Sequence, residues 1–369
     1  MKRLECLDGL RGGLAVYVMV SHMAPFAVIP SWLARLLSHG GAAVDVFFIL
    51  SGLVIARSLE RFGYRARPFL MARILRIYPA FLPIFAVAMA VQCLPSGFER
   101  MPWVAGDSPA RAIWSDGWPD QWRAYVLTHL TMTHGLVPNG VMPDAWVGFL
   151  GAAWSLSTEW QFYLLALVVM PRRGGSPAPW LGLALLGWGW DAWTPAAWHF
   201  SRAFLPNKAA YFALGIASMG GCGRYCLTLL AVLGLCWGQG GTEKLAAPLV
   251  WTLCLAAQHR PNRPGLGWLA ALLRAPAAQW LGGLSYGLYL INEPVQKGLG
   301  VLLAWWLPGD ALLFTVFWIP AATVLPLGLA LIVHILLERP AMRWSRAEGR
   351  SGIVVSRLCR GPPDRYRIG

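Results

Sequence analysis

A histidine and an arginine share one face of the first apolar stretch of the chain. Arg11 and His22 are separated by eleven positions within "LDGLRGGLAVYVMVSHMAPF". At about 100° per residue, a helix makes three rotations plus about 20° over this distance, so both side chains lie on one face, about 16 Å apart along the axis. With Arg11 at the membrane boundary, we expect His22 near the bilayer midplane.

Two hypotheses fit a histidine at this depth. Ionisable groups inside a membrane are costly and usually face a cavity or a partner. His22 could be a structural residue that hydrogen bonds between two helices. It could instead be a general base, because an imidazole that titrates near neutrality can take a proton from a hydroxyl and return it later.

A glutamate is the second polar residue found inside apolar sequence. Glu159 lies in "WSLSTEWQFYLL", between Trp154 and Tyr163, and we expect it about midway along a membrane span. A carboxylate there is either protonated or paired. Paired with His22, it would orient the ring and stabilise the imidazolium, as the acid does in Ser-His-Asp systems. The alternative is a helix-packing glutamate that accepts hydrogen bonds from Ser or Thr hydroxyls.

Two arginines lie one helical turn apart in the connection after the second span. Arg73 and Arg76 belong to "ARILRIYP". Side chains at i and i+3 share a face, and planar guanidinium groups suit bidentate contacts with phosphate. The alternative is that they only mark a cytoplasmic connection.

Further polar residues interrupt two apolar stretches, "GGAAVDVFFILSGLVI" and "LGGLSYGLYLINEPV". The sequence contains no P-loop or HExxH motif. Polar residues dispersed over several helices and converging in space are what a membrane-embedded site needs. Together with Trp154 and Tyr163, the candidate pocket residues are Asp45, close to the outer face, Ser51, Ser285, Tyr286, Tyr289 and Asn292.

Membrane helices must position these residues. The chain has 369 residues, of which 57% are hydrophobic and 13% charged, whereas a soluble domain carries about 25% charged residues. About 20 residues of helix cross a hydrocarbon core of about 30 Å. The sequence therefore predicts an all-α, polytopic membrane protein with ten spans: 12–31, 42–57, 78–95, 146–170, 178–195, 208–221, 225–239, 245–258, 280–303 and 311–337.

The basic residues predict the orientation of these spans. With the N-terminus inside and the spans alternating, 23 of the 31 Lys and Arg residues fall on the inner side, as the positive-inside rule requires. Both termini are then cytoplasmic, and the first helix is expected to stay uncleaved. Because the positive charge lies in short connections between apolar runs, we do not expect nucleic acid as a partner.

The chain divides into a transmembrane domain, 1–340, and a basic cytoplasmic tail, 341–369. A long connection, 96–145, is rich in Trp, Pro and Asp and is predicted to lie outside. The seven cysteines are scattered, so they suggest neither a disulfide framework nor a metal site.

Six motifs, in order along residues 7–340, resemble the membrane acyltransferase-3 family, whose members O-acylate surface glycans and some small secreted metabolites. The motifs are "LDGLRGGLAVYVMVSH", "VDVFFILSGLVIA", "RILRIYP", "WSLSTEWQFY", "LGGLSYGLYL" and "LLERP".

This resemblance implies that cytoplasmic acyl-CoA, expected to be acetyl-CoA, is the co-substrate, with no bound cofactor. It implies that His22 is essential and that Arg73 and Arg76 lie near the donor, with Arg11 as the partner arginine of the histidine motif. Members often carry His where this chain has Asn292. Either that His is dispensable, or this chain reads a different acceptor.

The sequence thus predicts a multi-pass O-acyltransferase of the bacterial inner membrane, in contact with membrane lipid. His22 and Glu159 are the predicted catalytic residues, and Arg11, Arg73 and Arg76 the predicted donor-binding residues. The acceptor is expected to be a saccharide or lipid-linked sugar, with a small metabolite as an alternative. Direct transfer and relay through an acyl-enzyme both remain open.

The competing function is a transporter or flippase of a glycan or lipid-linked intermediate, because midplane ionisable residues and short helices also suit transporters.

Overall fold

A computed structural model of the protein describes residues 4–108, 110–173, 175–239 and 242–344. Within these ranges the chain is all-α, and its β-structure is limited to one isolated bridge between Pro138 and Phe200. The all-α prediction is confirmed. The predicted tail lies outside the described residues beyond Trp344, and the four residues 341–344 that are described continue the last helix.

Fourteen α-helices occur in the described residues. They are α1 (Glu5–Met23), α2 (Ser31–Leu37), α3 (Gly40–Arg61), α4 (Ala66–Gln92), α5 (Ala110–Ile113), α6 (Trp122–Leu130), α7 (Trp154–Arg173), α8 (Ala178–Trp193), α9 (Ala209–Ala217), α10 (Cys222–Gly238), α11 (Ala246–His259), α12 (Gly267–Arg274), α13 (Pro276–Trp306) and α14 (Ala311–Val333), which runs on through a π-turn at His334–Glu338.

Three helical stretches of the described chain are long and apolar enough to cross a membrane, namely Ser31–Arg61, Ala66–Gln92 and Ala311–Trp344. This supports the prediction of a membrane protein. Ten helices, α1, α3, α4, α7 to α11, α13 and α14, overlap the ten predicted spans. The number of crossings and the orientation of the termini stay predictions.

Three predicted span boundaries are wrong, and each error moves a site residue relative to its helix. α1 begins at Glu5 and ends at Met23, before two prolines, so Arg11 lies inside the helix. α4 begins at Ala66, which places the two arginines of "RILR" in a helix rather than a loop. α7 begins at Trp154 because residues 144–153 form turns and a short 3₁₀ helix, so Glu159 lies in its second turn, not midway.

The most extensive helix–helix contact in the described residues joins α1 to α13. The two helices run parallel, since Arg11 bonds to Gly282 and His22 to Asn292 at nearly constant register. They meet at glycines: a Cβ on Gly12 would stand 2.5 Å from the Gly282 nitrogen, and one on Gly282 would stand 2.3 Å from the Asp8 oxygen. Small residues let membrane helices approach to backbone contact, and this approach fixes the register of α1 against α13.

The connection 96–121 covers the C-terminal end of α1. Phe26 stacks on Trp114 with ring centroids 3.8 Å apart, and the Trp103 indole donates to the Phe26 carbonyl at 3.0 Å. On the other side, the Trp318 indole of α14 donates to the Met23 carbonyl at 3.0 Å. The chain segment that follows His22 is therefore held by packing on both sides.

Substituting the two adjacent glycines of α1 tests this contact. Gly12→Ala should lower stability by about 1–3 kcal/mol because the new methyl group overpacks a backbone contact. Gly13→Ala is the matched control, since a Cβ there meets nothing within 4 Å. The measurement is thermal unfolding of both variants in the same detergent. Equal melting temperatures for both variants would show that the α1–α13 approach is not tight.

Candidate functional site

His22 is held by Asn292 of α13. The His22 Nδ1 lies 2.9 Å from the Asn292 Oδ1. The Asn292 Nδ2 donates to the Leu288 carbonyl at 2.9 Å and to the Tyr289 carbonyl at 2.7 Å. These two carbonyls fix which atom is the amide nitrogen, so the oxygen faces His22 and must accept from it. His22 therefore carries its proton on Nδ1, and Nε2 is the nitrogen that can accept a proton.

His22 lines a cavity of about 240 Å³, which we name the outer cavity for the predicted orientation. No described residue hydrogen bonds to the His22 Nε2. The residues of this cavity that bear on its chemistry are Ser21, His22, Trp146, Trp154, Arg202, Tyr289 and Glu293. The outer cavity thus offers a proton acceptor beside aromatic surfaces and a guanidinium group.

A buried carboxylate forms one wall of the outer cavity. Glu293 accepts from the backbone nitrogens of Gly151 at 2.7 Å and Ala152 at 2.8 Å, one bond to each oxygen. These donors lie just before α7 and would otherwise be unsatisfied, as at any helix N-terminus. Glu293 therefore fixes the start of α7 against α13. It was visible in the sequence as a charged residue in an apolar stretch, but was not among the predicted site residues.

A second cavity, of about 150 Å³, lies on the other side of Tyr289, and we name it the inner cavity. Most of the predicted site residues line it. They are Arg11, Ser51, Arg73, Arg76, Glu159, Tyr163, Ser285, Tyr286 and Tyr289. The structure therefore brings together residues from α1, α3, α4, α7 and α13 that the sequence places up to 278 positions apart.

Three guanidinium groups share the inner cavity. Arg11 donates to the Gly282 carbonyl, with Nη2 at 2.6 Å. Arg73 donates to the Ser58 hydroxyl at 3.2 Å. Arg76 lies 3.8 Å from the Glu338 carboxylate, within the "LLERP" motif. Each guanidinium carries five N–H donors, so the contacts of Arg73 and Arg76 leave donors for an anionic ligand such as phosphate.

Tyrosine and serine side chains shape the remainder of the inner cavity. The Tyr286 hydroxyl donates to the Ile77 carbonyl at 2.8 Å, and the Arg76 guanidinium lies 5.1 Å from the Tyr286 ring centroid. Ser285 donates to the Gly282 carbonyl at 3.0 Å. The bond from Tyr286 ties α13 to α4 and holds the aromatic face that Arg76 contacts, whereas the bond from Ser285 lies within α13.

Of the two alternatives left open for Glu159, the structure shows the hydrogen bond from a serine hydroxyl and not the pair with His22. Glu159 accepts from the Ser51 hydroxyl at 2.5 Å and from the Tyr163 hydroxyl at 2.5 Å. It faces the inner cavity, whereas His22 lines the outer one. α7 begins at Trp154, so Glu159 lies in its second turn, where the carboxylate meets Ser51 of α3. Asn292 holds the position beside His22 that the sequence had suggested for Glu159.

Asp45 lies apart from both cavities. It forms an ion pair with Lys208 at 2.6 Å and lines an open groove of about 910 Å³, the outer groove. Arg202 lines the outer groove and the outer cavity alike. Its guanidinium lies 4.5 Å from the Trp146 ring centroid and 5.8 Å from that of Trp154. The outer groove therefore leads toward His22 past Arg202.

Comparison with known proteins bears on the chemistry of this site. The sequence profile of a family described as an acyltransferase domain matches residues 4–335. The chain is also similar to the acyltransferase MdmB of Streptomyces mycarofaciens, with 30% identity over 180 residues. That alignment covers 44% of this chain and spans 38% of the relative's length. No solved structure matches the chain significantly. The family resemblance drawn from the six motifs is confirmed.

The tautomer of His22 is open to direct test. ¹⁵N NMR of histidine-labelled protein should show the His22 Nδ1 protonated and Nε2 unprotonated at neutral pH, because Asn292 offers only an acceptor. Asn292→Leu removes that acceptor and should give a mixture of tautomers. Asn207→Leu, outside the two cavities, is the control and should leave the His22 signals unchanged. A protonated Nε2 in the wild type would contradict the assignment, and His22→Ala identifies the signals.

Proposed function

This chain belongs to the acyltransferase-3 family, and on that premise we propose that it moves an acyl group from acyl-CoA to a hydroxyl of a saccharide or lipid-linked sugar. The observation that carries the proposal is His22, whose Nδ1 is fixed by Asn292 while it lines a cavity that adjoins the arginine-lined inner cavity. The proposed location is the bacterial inner membrane.

In direct transfer, His22 acts as the general base. Its Nε2 takes the proton of the acceptor hydroxyl, and the hydroxyl oxygen attacks the thioester carbonyl carbon. The C–O ester bond forms, the C–S bond breaks, and the imidazolium returns its proton to the CoA thiolate. Asn292 keeps Nδ1–H in place through these steps, as the third group does in catalytic triads. In the relay alternative, Nε2 itself attacks the thioester carbonyl carbon, the C–S bond breaks and CoA leaves as the thiolate. The acceptor hydroxyl then attacks the acyl-imidazolium, the N–C bond breaks, and the hydroxyl proton goes to the CoA thiolate.

Acyl-CoA, with acetyl-CoA as the expected donor, is proposed to enter from the cytoplasmic side. Its phosphates would contact Arg11, Arg73 and Arg76, which line the inner cavity. Arginine suits this task because its planar fork matches phosphate oxygens and stays charged. Glu159 lies in the same cavity, so its proposed role shifts from orienting His22 to positioning the donor, through Ser51 and Tyr163.

The acceptor is proposed to approach through the outer groove. Trp188 and Tyr211 line this groove together with Asp45, Lys208 and four further charged residues: Asp191, Arg202, Glu243 and Lys244. Aromatic faces, together with acidic and basic side chains that accept and donate hydrogen bonds, suit a polyhydroxylated ring. A small metabolite that reaches the same groove is the alternative acceptor.

Transport without chemistry is the competing function. Two adjoining cavities also suit a transporter, in which substrate sites lie near the bilayer midplane. The release of free CoA separates the two. An acyltransferase liberates one thiol for each acceptor esterified, whereas a transporter liberates none.

Replacing His22 tests the proposed reaction. We expect His22→Ala to lower the rate of acyl transfer by about 10²–10⁴-fold, the usual contribution of a general base. The host lacking the gene would express wild type or variant at matched membrane levels, with mass spectrometry of surface glycans and lipid-linked sugars to find the added ester.

His199→Ala is the matched control, since that imidazole bonds to the Thr194 carbonyl. It should restore the ester fully. Equal restoration by His22→Ala would make His22 a packing residue. No ester with wild type would reject the proposed acceptor.

Replacing Arg73 tests the donor site. Arg73→Gln should raise KM for acetyl-CoA about tenfold or more, the cost of losing a hydrogen bond to a charged group, with kcat little changed. Arg61→Gln, at the exposed end of α3, is the control. Arg76 is the poorer choice because its loss also takes the arginine partner from the buried Glu338, which pairs with His334 as well. Initial rates of thiol release measure both constants, and an unchanged KM would place the donor elsewhere.

A further inference from the structure

The inner and outer cavities meet at two side chains. Val44 of α3 and Tyr289 of α13 line both of them, and among the described residues no other side chain does. Both are buried. We call this meeting point the throat.

We propose that the throat formed by Val44 and Tyr289 selects short acyl chains and so sets the donor class of the enzyme. The inference rests on the proposed function, because it takes acyl-CoA as the donor. The three arginines lie on one side of the throat and His22 on the other. A thioester bound at the arginines must therefore carry its acyl group between Val44 and Tyr289 to reach the His22 Nε2.

The walls of the throat have little room to yield. The Tyr289 carbonyl accepts a hydrogen bond from the Asn292 Nδ2 at 2.7 Å. Because Asn292 is also bonded to His22, the backbone of Tyr289 is held in place. Its ring lies 6.0 Å, centroid to centroid, from the ring of Phe47. Val44 is β-branched and has one strongly preferred rotamer in a helix. The width of the passage is thus set by packed side chains of two helices.

The space beyond the throat is small. The outer cavity measures about 240 Å³, below the range of about 300–1,000 Å³ that holds a drug-sized ligand. It must receive both the acyl group and the hydroxyl-bearing carbon of the acceptor. A short acyl chain leaves room for the acceptor, whereas a long chain fills the cavity and excludes it.

The test uses S-alkyl-CoA thioethers, which lack the reactive carbonyl, with purified full-length protein in nanodiscs. Isothermal titration calorimetry gives Kd for CoA itself and for alkyl chains of increasing length. Each methylene that finds apolar space should tighten binding about fourfold. In wild type, the gain in affinity per methylene should stop at a short alkyl chain. In Val44→Ala the gain should continue for one or two more methylenes, and in Val44→Ile it should stop at a shorter chain than in wild type.

The two substitutions should shift the limiting chain length in opposite directions. General destabilisation of the protein would shift it in the same direction in both variants, so the two explanations can be told apart. Val46→Ala is the matched control, because Val46 is equally buried two positions along α3 and lines neither cavity. It should leave the chain-length profile as in wild type. If all variants bind the CoA thioethers with the same chain-length profile, the inference about the throat is wrong but the proposed donor stands. No CoA binding in wild type would overturn the proposed donor and, with it, this inference.

Discussion

The parallel contact between α1 and α13 is the constraint on which the site depends. Two helices can approach to backbone distance only where Cβ atoms are missing, and here Gly12 and Gly282 meet at that point. Once the crossing is fixed, the register of the pair is fixed along its length. Arg11 then reaches the Gly282 carbonyl, and His22 faces Asn292 ten residues further along α13. A single steric condition thereby places Arg11 and the imidazole of His22 on opposite sides of the throat.

The same stretch of α13 organises the surrounding helices. Asn292 accepts a hydrogen bond from His22 of α1, and Glu293 holds the start of α7. Gln296 donates to carbonyls of α1 and α14. Lys297 donates to Gln92 of α4 at 2.8 Å. Unpaired polar groups are costly in a low-dielectric interior, so each link is specific in partner and direction. α13 therefore works as the central helix, and a shift of this helix would change both cavities.

The sequence predicted the helices and many of the residues, but not which of them meet. Hydropathy located ten apolar stretches because that signal is local, and the rotation per residue placed Arg11 and His22 on one face of α1 correctly. Partners are a non-local property. For Glu159 the sequence left two alternatives, a pair with His22 or a hydrogen bond from a Ser or Thr hydroxyl, and the structure shows the bond from Ser51. Hydropathy could not decide between them, because it does not register which helices face each other. Asn292 was noted as a departure from the family, and only the structure assigns it to His22.

The separation of two cavities by a narrow throat has a chemical consequence for the proposed reaction. A general base that is open to the donor side would also activate water against the thioester, and hydrolysis would compete with transfer. His22 lies beyond the throat, and an acyl group in the passage would itself close it between Val44 and Tyr289. The base then meets the thioester carbonyl only when the donor is fully inserted. In the proposed reaction the acceptor would arrive from the outer groove, past Arg202, which lines both the groove and the outer cavity. The two substrates would then meet only at the imidazole. Selectivity for transfer over hydrolysis would then follow from the order of the cavities along α13 rather than from any single side chain.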